Sequence, residues 1–186
     1  MFRVESDLHG IRDGLQCLQL MLAPRGVCVT VLRFDGSGTL IYVFRPNRLE
    51  EALARPGVSE FLARYGYEPA GAAGMVAQLK RRYAECPSSP PEVGVFLDYP
   101  VEDVVGYIEN SGKCCRCIGC WKVYGDVGAA EKRFASFKKC RDIYCRLFSE
   151  GRCLADLAVR ARSEPAVQRA LLPPLGLRLP GRLYLV

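Results

Sequence analysis

Apolar residues recur at helical spacing near the start of the chain, at Leu8, Ile11, Leu15, Leu18 and Leu22. Positions three and four apart share one face of a helix, so this pattern predicts an amphipathic helix with Ser6 or Asp7 as its cap. Pro24-Arg25-Gly26 stops it. The period then changes to two. Val27–Phe34 and Thr39–Arg45 are β-rich runs joined by Asp35-Gly36-Ser37-Gly38, a loop that predicts a hairpin with Val27, Val29 and Val31 on one face. Short helices are expected at Arg48–Ala54, Ser59–Tyr65 and Ala72–Glu85, the last with Ala72, Val76, Leu79 and Tyr83 on one stripe. The prolines of Cys86-Pro87-Ser88-Ser89-Pro90-Pro91 break the chain.

Beyond that break, Glu92–Leu97 reads as a buried strand. Pro100 opens a helix with Glu102 and Asp103 in its first turn, where carboxylates oppose the positive end of the dipole, and with Val104, Val105 and Ile108 facing inward. Cys120–Tyr124 alternates Trp121 and Val123 against Lys122 and Tyr124, as a strand does. Asp126 then caps a long helix whose inner stripe is Ala130, Phe134, Phe137, the Arg141 stem, Tyr144 and Phe148. Strands interleaved irregularly with helices, one pair in a tight hairpin, predict an α+β fold. The expected form is a single domain over residues 1–153, with a largely antiparallel sheet of about four strands and helices packed on it. Residues 154–186 read as an extension, one helix followed by a peripheral Pro/Leu-rich tail.

Composition supports a folded domain: 49% of the 186 residues are hydrophobic and 25% charged. No apolar run is long enough to span a membrane, and Met1–Asp7 lacks the apolar core of an export signal. A cytoplasmic location follows as the expectation. That location changes how ten cysteines are read, because thiols in a reducing compartment are metal ligands, redox groups or packing rather than disulfides.

Charge is uneven. Residues 1–100 carry eleven basic and eleven acidic side chains, whereas residues 113–152 carry ten basic against four acidic, a local net charge of +6. Such a field attracts an anionic ligand or an acidic protein partner, or offsets metal-bound thiolates. Within it lies Cys114-Cys115-Arg116-Cys117-Ile118-Gly119-Cys120. Two-residue spacing lets the thiolates of Cys114, Cys117 and Cys120 turn toward one ion, with Cys140 as the leading fourth ligand, so zinc or an iron–sulfur cluster is the cofactor to expect if any binds. Small buried thiols remain the alternative. Glu109-Asn110-Ser111-Gly112-Lys113 leads into this run, and Glu109, Asn110, Lys113, Lys122 and Tyr124 are the candidate ligand-binding residues. Gly112 also suits a helix-ending turn. The glycine spacing of a phosphate-binding P-loop is missing. His9 is the one histidine, which leaves a Cys–His hydrolase with a single candidate base.

The run from Phe96-Leu97-Asp98-Tyr99-Pro100 through Ile108-Glu109-Asn110-Ser111-Gly112-Lys113 to Gly119-Cys120-Trp121-Lys122-Val123-Tyr124-Gly125-Asp126 resembles the bacterial family called domain of unknown function 3793. Leu40-Ile41-Tyr42-Val43-Phe44-Arg45-Pro46 and the helix through Lys139-Cys140-Arg141 and Tyr144-Cys145-Arg146 extend the likeness. The resemblance implies an uncharacterised protein found largely in anaerobes, and it supplies no catalytic residue. Asp98 stands where the resemblance implies glycine.

Three functions follow from these residues. The first is a non-enzymatic binding or accessory module with a basic, cysteine-rich site for a metal or an anionic ligand. The second is a thiol or iron–sulfur redox protein. The third, nucleic-acid binding, is disfavoured because the isoelectric point near 8.8 falls below the usual basic footprint and no known motif is present.

Overall fold

The computed structural model describes residues 1–5, 8–36 and 38–159. Its architecture is α+β, with a three-stranded antiparallel sheet, a separate two-stranded ribbon and helices around them. β1 (Phe2–Val4), which the sequence pattern did not predict, pairs with β3 (Gly38–Phe44), and β3 pairs on its other side with β2 (Cys28–Asp35). The β2–β3 hairpin forms where the Asp-Gly loop predicts it.

Alternation gives the sheet two covered faces. Val29 and Val31 pair with Val43 and Ile41 on the face toward α1 (Leu8–Leu22), which packs along β2. The Gln19 side chain of α1 accepts a 2.7 Å hydrogen bond from the Val29 N–H. Leu32, unpaired at a bulge between Val31 and Arg33, lies by alternation on the opposite face with Tyr42 and Phe44, and that face builds the main core.

Against that core pack α2 (Pro46–Leu53), α3 (Val58–Ala63) and α4 (Ala72–Glu85). The α4 stripe Ala72, Val76, Leu79 and Tyr83 is buried as its spacing requires. Leu79 and Tyr83 are at most 1% exposed, each contributing about 2 kcal/mol by leaving water.

Glu92–Leu97, expected as a strand, is a short helix, α5 (Val93–Phe96). Its bonds are local: Val93 N–H donates to the Pro90 carbonyl, and Leu97 N–H to that of Val93. Tertiary contacts hold the turn, because the Tyr42 hydroxyl donates to the Phe96 carbonyl at 2.5 Å and buried Glu92 pairs with Arg82 at 2.9 Å. A short apolar run has no periodicity that separates strand from buried helix, and the two preceding prolines withhold ladder donors.

α6 (Val101–Glu109) follows, then β4 (Cys117–Ile118) and β5 (Lys122–Val123), which pair only with each other. The strand expected at Cys120–Tyr124 therefore exists as two residues of a ribbon, outside the main sheet. α7 (Val127–Ser149) is capped by Asp126, whose Oδ1 accepts from the Ala129 N–H at 3.0 Å. The inner stripe expected on α7 is inner only at its start. Ala130 is buried, but Phe137, Tyr144 and Phe148 are exposed. α8 (Leu154–Leu157) packs back on α7. The remainder of the predicted extension, residues 160–186, lies outside the described residues. No helix among the described residues is long and apolar enough to cross a membrane.

Candidate functional site

The ribbon is held to the body by one carboxylate. Asp103, in the first turn of α6 and 3% exposed, accepts from the Trp121 indole N–H through Oδ2. Through Oδ1 it accepts from the Tyr124 and Gly125 backbone N–H groups, and all three bonds are 2.7 Å long. Sequence reasoning placed Asp103 at the helix dipole. The signal for this second role was the lone tryptophan on a short strand, because a buried indole N–H requires an acceptor.

Trp121 is the centre of a second, smaller core with Val123 and Ala130. Tyr99 stacks on it at 4.8 Å between ring centroids, Phe134 meets it edge-on at 4.5 Å, and the Arg133 guanidinium lies 5.3 Å from its ring. The backbone must come close here. A Cβ at Gly119 would collide with the Phe134 ring, and one at Gly106 would lie 2.5 Å from Tyr124.

Four of the five predicted ligand residues meet at one corner beside this core. The Lys122 ammonium donates to the Gly112 carbonyl at 2.7 Å and lies 5.9 Å from the Tyr107 ring centre. The Tyr124 hydroxyl donates to the Lys113 carbonyl at 3.0 Å, and the Asn110 amide donates to the Gly106 carbonyl at 2.8 Å. These bonds organise the turn after α6, where Ser111 and Gly112 both have positive φ. Glu109 ends α6 on an exposed position.

The thiols diverge. Cys114 and Cys120 are exposed, Cys117 is half-buried on β4, and Cys140 is exposed about 20 Å along α7 from its start. Burial first, then the charges of Cys115, Tyr107 and Cys114, raises the Tyr124 phenol above its ordinary range. The Tyr99 phenol is raised by burial and then by Cys120. Among the described residues, no group of three or more His, Cys, Asp or Glu side chains is placed to hold a metal ion.

A cleft of about 330 Å³ opens beside the ribbon. Leu97, Tyr99, Val104, Tyr107 and Trp121 form much of its wall, and Lys122 supplies a cation. Asp103 also borders it, with both oxygens already engaged by N–H donors. Sequence reasoning reached Lys122 but not the cleft, because its walls come from segments on both sides of α6.

A family model described as "Protein of unknown function (DUF3793)" matches residues 2–158. The chain belongs to this family. The DUF3793 match spans every element from β1 to α8, so sheet, cleft, ribbon and α7 are all within the family's domain. No curated protein and no solved structure matches the chain. The DUF3793 chain also carries an unusual backbone position beside the ribbon core. Asp98 has a φ of 64°, in the left-handed region where glycine is favoured. Its carboxylate pairs with Arg55 at 2.5 Å and Arg133 at 2.7 Å, and Arg133 also donates to the Asp98 carbonyl at 2.9 Å.

Proposed function

We propose that this protein is a non-enzymatic binding module that takes a small anion with an apolar or aromatic part into the cleft beside the ribbon. The observation that carries the reading is the cleft itself: apolar and aromatic walls, with Lys122 among them and its ammonium 5.9 Å from the ring centre of Tyr107, another lining residue. Its volume of about 330 Å³ falls at the lower end of the range that small-molecule sites occupy. Rings such as Tyr107 and Trp121 bury a flat ligand at low entropy cost, and one cation in an apolar wall orients a carboxylate, sulfonate or phosphate. Lys113 and Arg116 on the adjoining turn add to the positive field. The ten free thiols suit a reducing compartment, in keeping with a cytoplasmic protein.

Trp121 is the chain's one tryptophan and lines the cleft, so its fluorescence reports occupancy directly. The test titrates the protein with anilinonaphthalene sulfonate and, in parallel, with its uncharged analogue N-phenyl-1-naphthylamine. The sulfonate is expected to quench Trp121. Lys122→Met should weaken it about tenfold relative to the neutral analogue, and Lys122→Arg should restore much of the loss. Unchanged Trp121 emission, or equal weakening of both probes, would reject the reading.

The metal alternative rests on the close spacing of Cys114, Cys117 and Cys120 along the ribbon. It requires the turn to rearrange around an ion. Zinc, iron and acid-labile sulfide content of protein purified without oxygen decides it: an equivalent of metal lost in Cys117→Ser supports a site, and its absence removes one.

A further inference from the structure

α7 carries an apolar seam that changes from buried to exposed along its length. Ala130, Phe134, Phe137, Arg141, Tyr144 and Phe148 alternate at steps of four and three, the spacing at which helices interlock side chains in a coiled coil. Ala130 is 3% exposed and Phe134 is half-buried against Trp121. Phe137, Tyr144 and Phe148 are then 45%, 41% and 62% exposed. This is not a fraying end. The helix is fixed at its start by the Asp126 cap and the ribbon core. Beyond its end, α8 returns against it, Asp156 pairs with Arg25 at 3.7 Å, and the Val159 carbonyl accepts from Arg45 at 2.6 Å. A helix of 23 residues, about 35 Å long, is therefore anchored at both ends with its aromatic seam presented between them.

Charge selects the occupant. Over residues 137–149 the helix carries Lys138, Lys139, Arg141 and Arg146 against Asp142, which pairs with Arg141 at 3.9 Å, so the exposed half is net positive. A second copy of this chain would bring two such net-positive faces together, and a parallel in-register pair would set Arg141 against Arg141. Like charges facing each other at such positions oppose association. The chain's own residues 160–186 carry five arginines against one glutamate, so they too match the seam poorly in sign. A helix with an apolar stripe and carboxylates at its centre and flanks satisfies both features. We infer that the exposed half of α7 docks an acidic amphipathic helix from another protein. This surface is separate from the cleft, and its test does not depend on the cleft's ligand.

The experiment uses full-length protein and a fluorescein-labelled 21-residue peptide with leucine at the seam positions, glutamate at the flanks and one glutamate at the centre. The comparison peptide carries lysine in place of glutamate. Anisotropy should show the acidic peptide binding at least about tenfold more tightly. The Tyr144→Ser/Phe148→Ser double variant, altered at exposed positions away from the ribbon core and so expected to keep its circular dichroism, should weaken it about tenfold. Arg141→Glu should reverse the preference between the two peptides. Failure of the acidic peptide to bind, or binding untouched by the double variant, overturns the inference. So does concentration-dependent dimerisation abolished by the double variant, which would assign the seam to a second copy. Displacement of the acidic peptide by a 20-nucleotide single strand, with strand binding lost in the double variant, would assign it to nucleic acid.

Discussion

Asp98 combines a backbone that favours glycine with a side chain held by two arginines. A left-handed conformation costs a residue with a Cβ about 1 kcal/mol, and part-exposed ion pairs return up to about 1 kcal/mol each. Asp98→Gly removes strain and pairs together, so its stability should stay within about 1 kcal/mol of the parent. Asp98→Ala keeps the strain without the pairs and should fall at least about 1 kcal/mol below Asp98→Gly in urea unfolding. Cysteine behaviour is also decided residue by residue. Burial raises the Cys28 thiol above its ordinary range, whereas Cys17, Cys114, Cys120, Cys140, Cys145 and Cys153 are exposed. Timed alkylation with mass-spectrometric readout should label the six exposed thiols early and Cys28 last, because the thiolate is the reactive form.

At the scale of elements, the ribbon is too short to support itself, and its two residue pairs depend on Asp103. Asp103→Ala leaves the Trp121 indole and the Tyr124 and Gly125 N–H groups without their acceptor. The expected loss is about 3 kcal/mol, with Trp121 emission shifted to the red before global unfolding in a urea titration. Coincident loss of ribbon and core signals would show instead that the two form one cooperative unit. Legibility differed between elements for a physical reason. α4 and the β2–β3 hairpin have clean periods and local turn chemistry, and both form where those patterns place them. α5 has no period, and its conformation follows from Tyr42 and Glu92, whose partners lie far away in sequence. The seam of α7 was legible as a stripe, yet a stripe states only that a face is apolar and not that the chain itself will cover it.

For the molecule as a whole, three buried tyrosines link the sheet, α3–α4 and α5 into one core. Tyr42, Tyr67 and Tyr83 all have phenols raised above their ordinary value, with burial the largest cause for each. Their folded pKa values exceed the unfolded one near 10, so folding favours the protonated phenol. Their contribution is fully present below about pH 10 and is lost as pH rises toward the folded values. Ultraviolet titration at 295 nm should therefore show exposed tyrosines ionising first. A cooperative late step should follow and coincide with loss of circular dichroism, and smooth titration of all nine tyrosines near pH 10 would contradict this.

The sequence by itself determined the α+β class, the hairpin, the Asp126 cap of α7, the buried stripe of α4, and the concentration of positive charge and thiols in residues 113–152. Those properties reside in neighbours along the chain, where period, turn chemistry and composition act. Only the tertiary structure decided that Asp103 fastens the ribbon, that Lys122 joins aromatic walls in a cleft, and that Phe137, Tyr144 and Phe148 of α7 stay exposed. Each of these depends on which distant segments meet, and local sequence preference carries no information about that.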